Sequence, residues 1–187
     1  MGPVYLLMGK PGSGKGTQAE LLAKRLGYSV ASPGAEFRRL ATEDSVVGRK
    51  VAETLDAGLL QPYWLATYLF HKTLFALTAD GGIVLEGFAR KVPEAQIVLD
   101  TCEWLGRPLK AFYLSVTDEE IQKRIEGRSG VAARSDDSSV AKRLEEFRIH
   151  TDPSIELLRN AGVLTDIDGS PGIEAIHADI LTHLNLQ

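Results

Sequence analysis

Nine consecutive residues, Gly9-Lys10-Pro11-Gly12-Ser13-Gly14-Lys15-Gly16-Thr17, carry the chemistry most directly readable in this chain. Glycines at this density let successive main-chain N–H groups turn inward around an anion, with no Cβ in the way. Lys15 adds a full positive charge aimed at terminal phosphates. The residue after Lys15 is Gly16, where the general pattern of such loops has Ser or Thr. The hydroxyl comes one later, at Thr17. A magnesium ion here would be held by Thr17, by waters and by the phosphates, because magnesium keeps much of its water shell. Glu86 and Arg90 are further candidates. They close and follow the apolar run Ile83-Val84-Leu85, and ligands of parallel α/β sheets sit at the carboxyl ends of strands.

The elements around the glycine loop suit that chemistry. Val4-Tyr5-Leu6-Leu7-Met8 reads as a buried strand, and residues 18–26 place apolar side chains at helical spacing. Strand, glycine loop, helix is the setting a phosphate site requires, with the helix N-terminus adding partial positive charge. A short second strand is expected over 28–31, broken by Ser32-Pro33-Gly34. Helices are expected over 35–41, 47–57 and from 62 to about 78, on a line through Leu65, Leu69 and Leu74. So much helix between two strands exceeds a minimal crossover and reads as a movable flap. Strands follow over 83–86, 110–115 and 163–167. Helices are expected over 93–104, from Asp118 to near 128, as one long segment through Arg143, Leu144, Phe147 and Leu158, and over 173–184. This alternation predicts an α/β fold with a five-stranded parallel sheet flanked by helices.

Composition narrows the function. The chain has 187 residues, 44% hydrophobic and 25% charged, which fits one soluble globular domain. The net charge of −4 argues against a nucleic-acid partner. No apolar run is long enough for a membrane span, and the N-terminus does not read as a signal peptide. The single cysteine, Cys102, excludes an internal disulfide or a zinc site built from several cysteines, and reads as a small buried apolar residue. A cytoplasmic monomer is the expectation, since no stretch marks a subunit interface.

In order along the chain, Gly9–Thr17, Ser32-Pro33-Gly34-Ala35-Glu36-Phe37-Arg38, Asp56-Ala57-Gly58 and Glu86-Gly87-Phe88-Ala89-Arg90-Lys91-Val92-Pro93 are followed by further motifs. These are Arg124-Ile125-Glu126-Gly127-Arg128, Arg134-Ser135-Asp136-Asp137, Lys142-Arg143-Leu144, Thr151-Asp152-Pro153 and Asp168-Gly169. In this order and spacing the chain resembles the adenylate kinase family of nucleoside monophosphate kinases, in its short-lid form without a zinc insert. The resemblance implies a P-loop NTPase-type domain over 1–187. It divides into a core of 1–31, 80–127 and 140–187, a nucleoside-monophosphate-binding flap of 32–79 and a short lid of 128–139. It also implies transfer of the γ-phosphoryl group of ATP to a nucleoside monophosphate with Mg2+, AMP by default. Catalysis then falls to Lys15, Arg90, Arg128, Arg134 and Arg143. ATP falls to Gly12, Ser13, Gly14, Lys15, Gly16, Thr17, Arg124, Arg128 and Gly169, with Arg124 stacked on the base. The monophosphate falls to Pro33, Gly34, Arg38, Gln61, Gly87, Arg90, Glu94, Arg134 and Arg143. The metal falls to Thr17 and, through water, Glu86. Arg39 and Lys91 have no matched role and read as surface.

The acceptor pocket departs from the family pattern. Pro33 stands for a usual Thr, Ala35 and Glu86 for a usual Asp, Ala89 for a usual Pro, and Glu94 for the Gln that reads adenine. An ionised carboxylate only accepts hydrogen bonds, whereas an amide both donates and accepts. An ionised, buried Glu94 would favour guanine; a protonated one could read adenine. Alternatively Glu94 caps its helix and points to water. These departures leave two other readings beside the kinase: a catalytically weak nucleotide-binding regulatory protein, and a kinase for a small metabolite.

Overall fold

The computed structural model describes residues 1–126 and 140–186. The apolar run after Pro3 forms β1, Val4–Gly9. Alternation along it sends Val4, Leu6 and Met8 to one face of the sheet and Leu7 to the other. Both faces are therefore apolar, and β1 can only be central. It is flanked by β3, Ile83–Glu86, and β4, Leu109–Ser115. β2, Ser29–Ala31, and β5, Leu164–Asp168, complete a parallel sheet of five strands in the order β2-β3-β1-β4-β5.

Helices cover both faces. On one, α1, Lys15–Leu26, and α9, Ile173–His183, bury Leu22, Ile176 and Ile180 against Leu7, Phe112 and Ile167. On the other, α4, Tyr63–Phe75, α5, Val92–Trp104, and α8, Asp152–Asn160, bury Phe70, Leu74, Val98, Cys102 and Leu158 against Leu6, Met8 and Leu85. α2, Pro33–Leu40, and α3, Val46–Asp56, join α4 in the excursion between β2 and β3. α6, Asp118–Glu126, follows β4, and α7, Val140–Glu146, leads towards α8. Among the described residues no helix is long and apolar enough to cross a membrane.

Two expected segments differ. α4 stops at Phe75, before residue 78, because the backbone leaves the helix to deliver Thr78 to Arg107. The expected long helical segment through Arg143, Phe147 and Leu158 is not uniform: a π-helical turn, Phe147–Thr151, separates α7 from α8. Pro153 has no N–H to donate back into the preceding turn, and a widened turn accommodates that loss.

Candidate active site

β1 has β3 on one side and β4 on the other, so connections leave it in both directions, and this switch point is where α/β sheets bind ligands. The glycine loop leaves β1 there and enters α1 through Gly14. Its φ of 90° is a left-handed conformation that glycine accepts and side-chain-bearing residues resist. Lys15, the first residue of α1, is buried. Its Nζ donates to the Lys10 carbonyl at 3.2 Å and lies 3.8 Å from Glu86 Oε1. Glu86, at the end of β3, accepts through Oε2 from the Ser32 hydroxyl at 2.6 Å. Ser13 is fully buried, and its hydroxyl has no hydrogen-bond partner among the described residues.

Lys10 is a cation of the same loop that the sequence reading passed over. It donates to the Val116 carbonyl at 3.0 Å and pairs with Asp118 at 2.7 Å. Asp118 also pairs with Arg148 of the π-helical turn. The Lys10 hydrogen bond, helped by Arg148, holds the Asp118 carboxyl below its usual range.

The loop opens into a cleft of about 1110 Å³, continuous with solvent. Lys15, Glu86, Arg38, Arg90 and Arg143 all line it, from α1, β3, α2, the turn after β3 and α7. Two of the arginines, Arg38 and Arg90, lie against glycine backbone. A Cβ on Gly34 would stand 3.4 Å from the Arg38 guanidinium. A Cβ on Gly87 would stand 2.7 Å from that of Arg90, whose Nε donates to the Gly87 carbonyl at 2.9 Å. Gly87 has φ +74° and the next-but-one residue, Ala89, φ +57°. Ala89 thus adopts a conformation closed to the proline usual in the family, whose ring fixes φ near −65°. The Ser154 hydroxyl fastens this turn by donating to the Ala89 carbonyl.

Pro33, Gln61 and Glu94 also line the cleft. Gln61 is buried and spends its amide nitrogen on the Val51 carbonyl at 3.0 Å. Of the alternatives for Glu94, the structure has the buried one, with the helix cap but without the exposure to water: it is 6% exposed and accepts the Arg90 main-chain N–H at 2.8 Å. It occupies the third position of α5 and reaches back over the helix start, as the acidic half of a capping box does. Burial pushes its carboxyl above the usual value, against the lowering effect of that hydrogen bond and of Arg90 and Lys91. The expectation that Lys91 is surface needs correction: it is half-buried, and its Nζ donates to the Gln61 carbonyl at 3.1 Å. Arg39 is surface as expected, more than half exposed and paired with Glu36 and Glu43. Glu146 escaped the sequence reading: it is buried in the cleft wall and accepts the Leu60 N–H at 3.2 Å.

Arg124 lies outside this cleft. It pairs with Glu120 at 2.7 Å and donates to the Ser170 carbonyl at 3.2 Å, beside Gly169. A Cβ on Gly169 would stand 2.5 Å from Val116, so only glycine lets this turn approach the end of β4 so closely. Thr17 is exposed on the first turn of α1 and does not line the cleft. Arg128, Arg134 and the Asp136-Asp137 pair lie outside the described residues.

Comparison with known proteins adds an independent line. The adenylate kinase family model matches residues 7–163. Proteins named adenylate kinase from Brucella melitensis biotype 1, Brucella ovis and Brucella suis biovar 1 are each 33% identical to this chain over 184 residues. The alignment covers 94% of this chain and 95% of each relative.

Proposed function

The chain belongs to the adenylate kinase family and is a phosphotransferase, and from that premise we propose that it transfers the γ-phosphoryl group of ATP to a nucleoside monophosphate, with AMP as default acceptor. One observation carries this reading: Lys15, Arg38, Arg90 and Arg143 converge, from separate elements, on a single cleft. Phosphoryl transfer asks for little covalent chemistry. It asks that two anions be aligned, water excluded and spreading negative charge stabilised. Lys15 and the loop amides hold the β- and γ-phosphates. Arg38, from α2, and Arg90, from the turn after β3, grip the monophosphate, and Arg143 reaches the group in transit. Arg128 and Arg134 join them in this reading as the lid arginines, and Arg124 receives the ATP base beside Gly169. The buried Ser13 hydroxyl gains a partner when a phosphate or its water fills the loop.

The donor set fits magnesium. Glu86 offers carboxylate oxygens beside Lys15, and magnesium bound mainly by phosphates and water needs only one or two carboxylates. When bound, the ion neutralises charge on the phosphates. Glu86 then orients its water shell, and Ser32 fixes Glu86. Thr17 is placed less favourably for that task.

Burial pushes the Glu94 carboxyl above its usual value; protonated, it would donate and accept as an amide does, and ionised, it would only accept and favour guanine. AMP is the default acceptor by family and not by the chemistry of Glu94. A panel of AMP, dAMP, GMP, CMP and UMP with Mg-ATP tests the proposal. Turnover with AMP above the others is expected. Turnover with none, alongside normal ATP binding, replaces the kinase with the regulatory binding protein. A GMP preference that Glu94→Gln reverses towards AMP assigns the ionised form instead.

A further inference from the structure

A threonine inside a helix can turn its hydroxyl back on its own chain, to the carbonyl four residues earlier. Thr54, Thr73 and Thr182 all do so, at 2.9, 2.8 and 2.9 Å. Thr67, in α4, does not. Its Oγ1 is shut off from solvent and has no hydrogen-bond partner among the described residues. A buried hydroxyl left unpaired is a cost that folding does not recover elsewhere.

Thr67 lines a small cavity enclosed by α4, α5 and the turn after β3. Phe70 of α4, Glu94 and Val98 of α5, and Phe88 of the turn form its other walls. It gives a water centre about 10 Å³, which is the room one molecule needs. A wholly apolar cavity stays dry, and a buried water needs two to four polar partners. Here Thr67 and Glu94 supply polar side chains. Glu94, Phe88 and Ala66 line the acceptor cleft as well, so these residues form the partition between cavity and cleft.

Glu94 has acceptor capacity left over. A carboxylate offers about four lone-pair positions. The Arg90 N–H takes one of them, on Oε2 at 2.8 Å, and the Lys91 main chain assists.

We propose that this cavity holds one water, which bridges the Thr67 hydroxyl to the Glu94 carboxyl and makes Thr67 a positioning residue for the acceptor end of the cleft. The water accepts from Thr67 and donates to Glu94. It fixes the carboxyl from the cavity side and leaves the cleft side to the acceptor. A hydrogen bond given to the ionised carboxylate favours that form. Arg90 and Lys91 act in the same direction, and burial opposes them. α4 brings no charged residue to the cavity, while Arg38, Arg143 and Glu146 stand on the cleft side. The role in acceptor choice rests on the kinase reading; the water does not.

Isotope-edited NMR titration of the Glu94 side-chain carboxyl, in the unliganded full chain, is the test. Thr67→Val keeps the shape and removes the hydroxyl, and Thr67→Ala removes it without crowding the cavity. Both should move the titration to higher pH, and Thr67→Ser should return it to the wild-type position. Thr67→Val should also lower the denaturant midpoint. With nucleotides, Thr67→Val should lower kcat/KM for GMP relative to AMP roughly 2–10-fold, the worth of one hydrogen bond, with KM for ATP unchanged. A titration indifferent to loss of the hydroxyl overturns the proposal. So does a Thr67→Val protein more stable than the wild type, which marks the hydroxyl as simply unpaired. A shifted titration with an unmoved GMP-to-AMP ratio overturns the positioning role. A shifted titration with no turnover of any nucleotide supports the water and removes the kinase reading instead.

Discussion

Glu94 does two things at once: it closes the start of α5 and walls the acceptor cleft. Its raised carboxyl pKa means that the fold holds this proton more tightly than the unfolded chain does. The stabilisation is complete below the ordinary Glu value, about 4.3, and is lost as pH rises through the folded value. Glu94→Gln keeps an acceptor for the Arg90 N–H and removes the buried charge. The variant should therefore gain on the wild type as pH rises from about 4 to 7. Urea melts at both ends of that range check it, and a constant gap between the proteins contradicts it. Lys15 gives the residue-scale prediction on rate. Lys15→Met should lower turnover about 10²–10³-fold, as loss of one charge-stabilising donor does, with an unchanged melting temperature. Stopped-time ADP assays read it.

The turn after β3 illustrates how an element is shaped for its cargo. Gly87 leaves room for the Arg90 guanidinium, and Ala89 is held at positive φ by its place between β3 and α5. A left-handed non-glycine residue costs about 1–2 kcal/mol, partly offset in a glycine variant by chain entropy. Ala89→Gly should therefore stabilise the fold by about 0.5–1 kcal/mol, read as a higher denaturant midpoint at unchanged slope. The turn after β5 makes the converse case. Gly169→Ala forces a Cβ against Val116 and should destabilise by about 1–3 kcal/mol. It should also raise KM for ATP, because the adjoining Ser170 carbonyl holds Arg124.

At the scale of the molecule, Arg107 is the principal tie at the end of the sheet opposite the cleft. Buried, it donates to the carbonyls of Gly2, Gly81 and Thr78, and so joins the start of β1, the entry to β3 and the exit from α4. Arg107→Ala leaves three carbonyls short of a charged donor and should cost about 3 kcal/mol or more, visible in thermal denaturation. The helical excursion of α2 to α4 carries Arg38, and α7 carries Arg143. The proposed flap and lid then close on two nucleotides together. A bisubstrate analogue joining two nucleosides through five phosphates should bind tightly and reduce the radius of gyration. Tight binding with unchanged small-angle scattering contradicts closure.

Order and spacing along the chain were enough to determine the α/β alternation, the parallel five-stranded sheet and the phosphate loop. Those features rest on local periodicity and on glycines that adjoin in sequence. Most cations of the cleft were legible too, because Arg38, Arg90 and Arg143 sit in motifs of fixed spacing. Only the tertiary structure decided what Glu94, Lys91, Lys10 and Glu146 touch. Their partners, from Arg90 close by to Leu60 and Asp118 far along the chain, depend on how loops converge above the sheet. It also decided which face of α4 is left in water: the same helical repeat carries an apolar stripe on both sides, and only packing against α5 and the sheet selects the one that is covered.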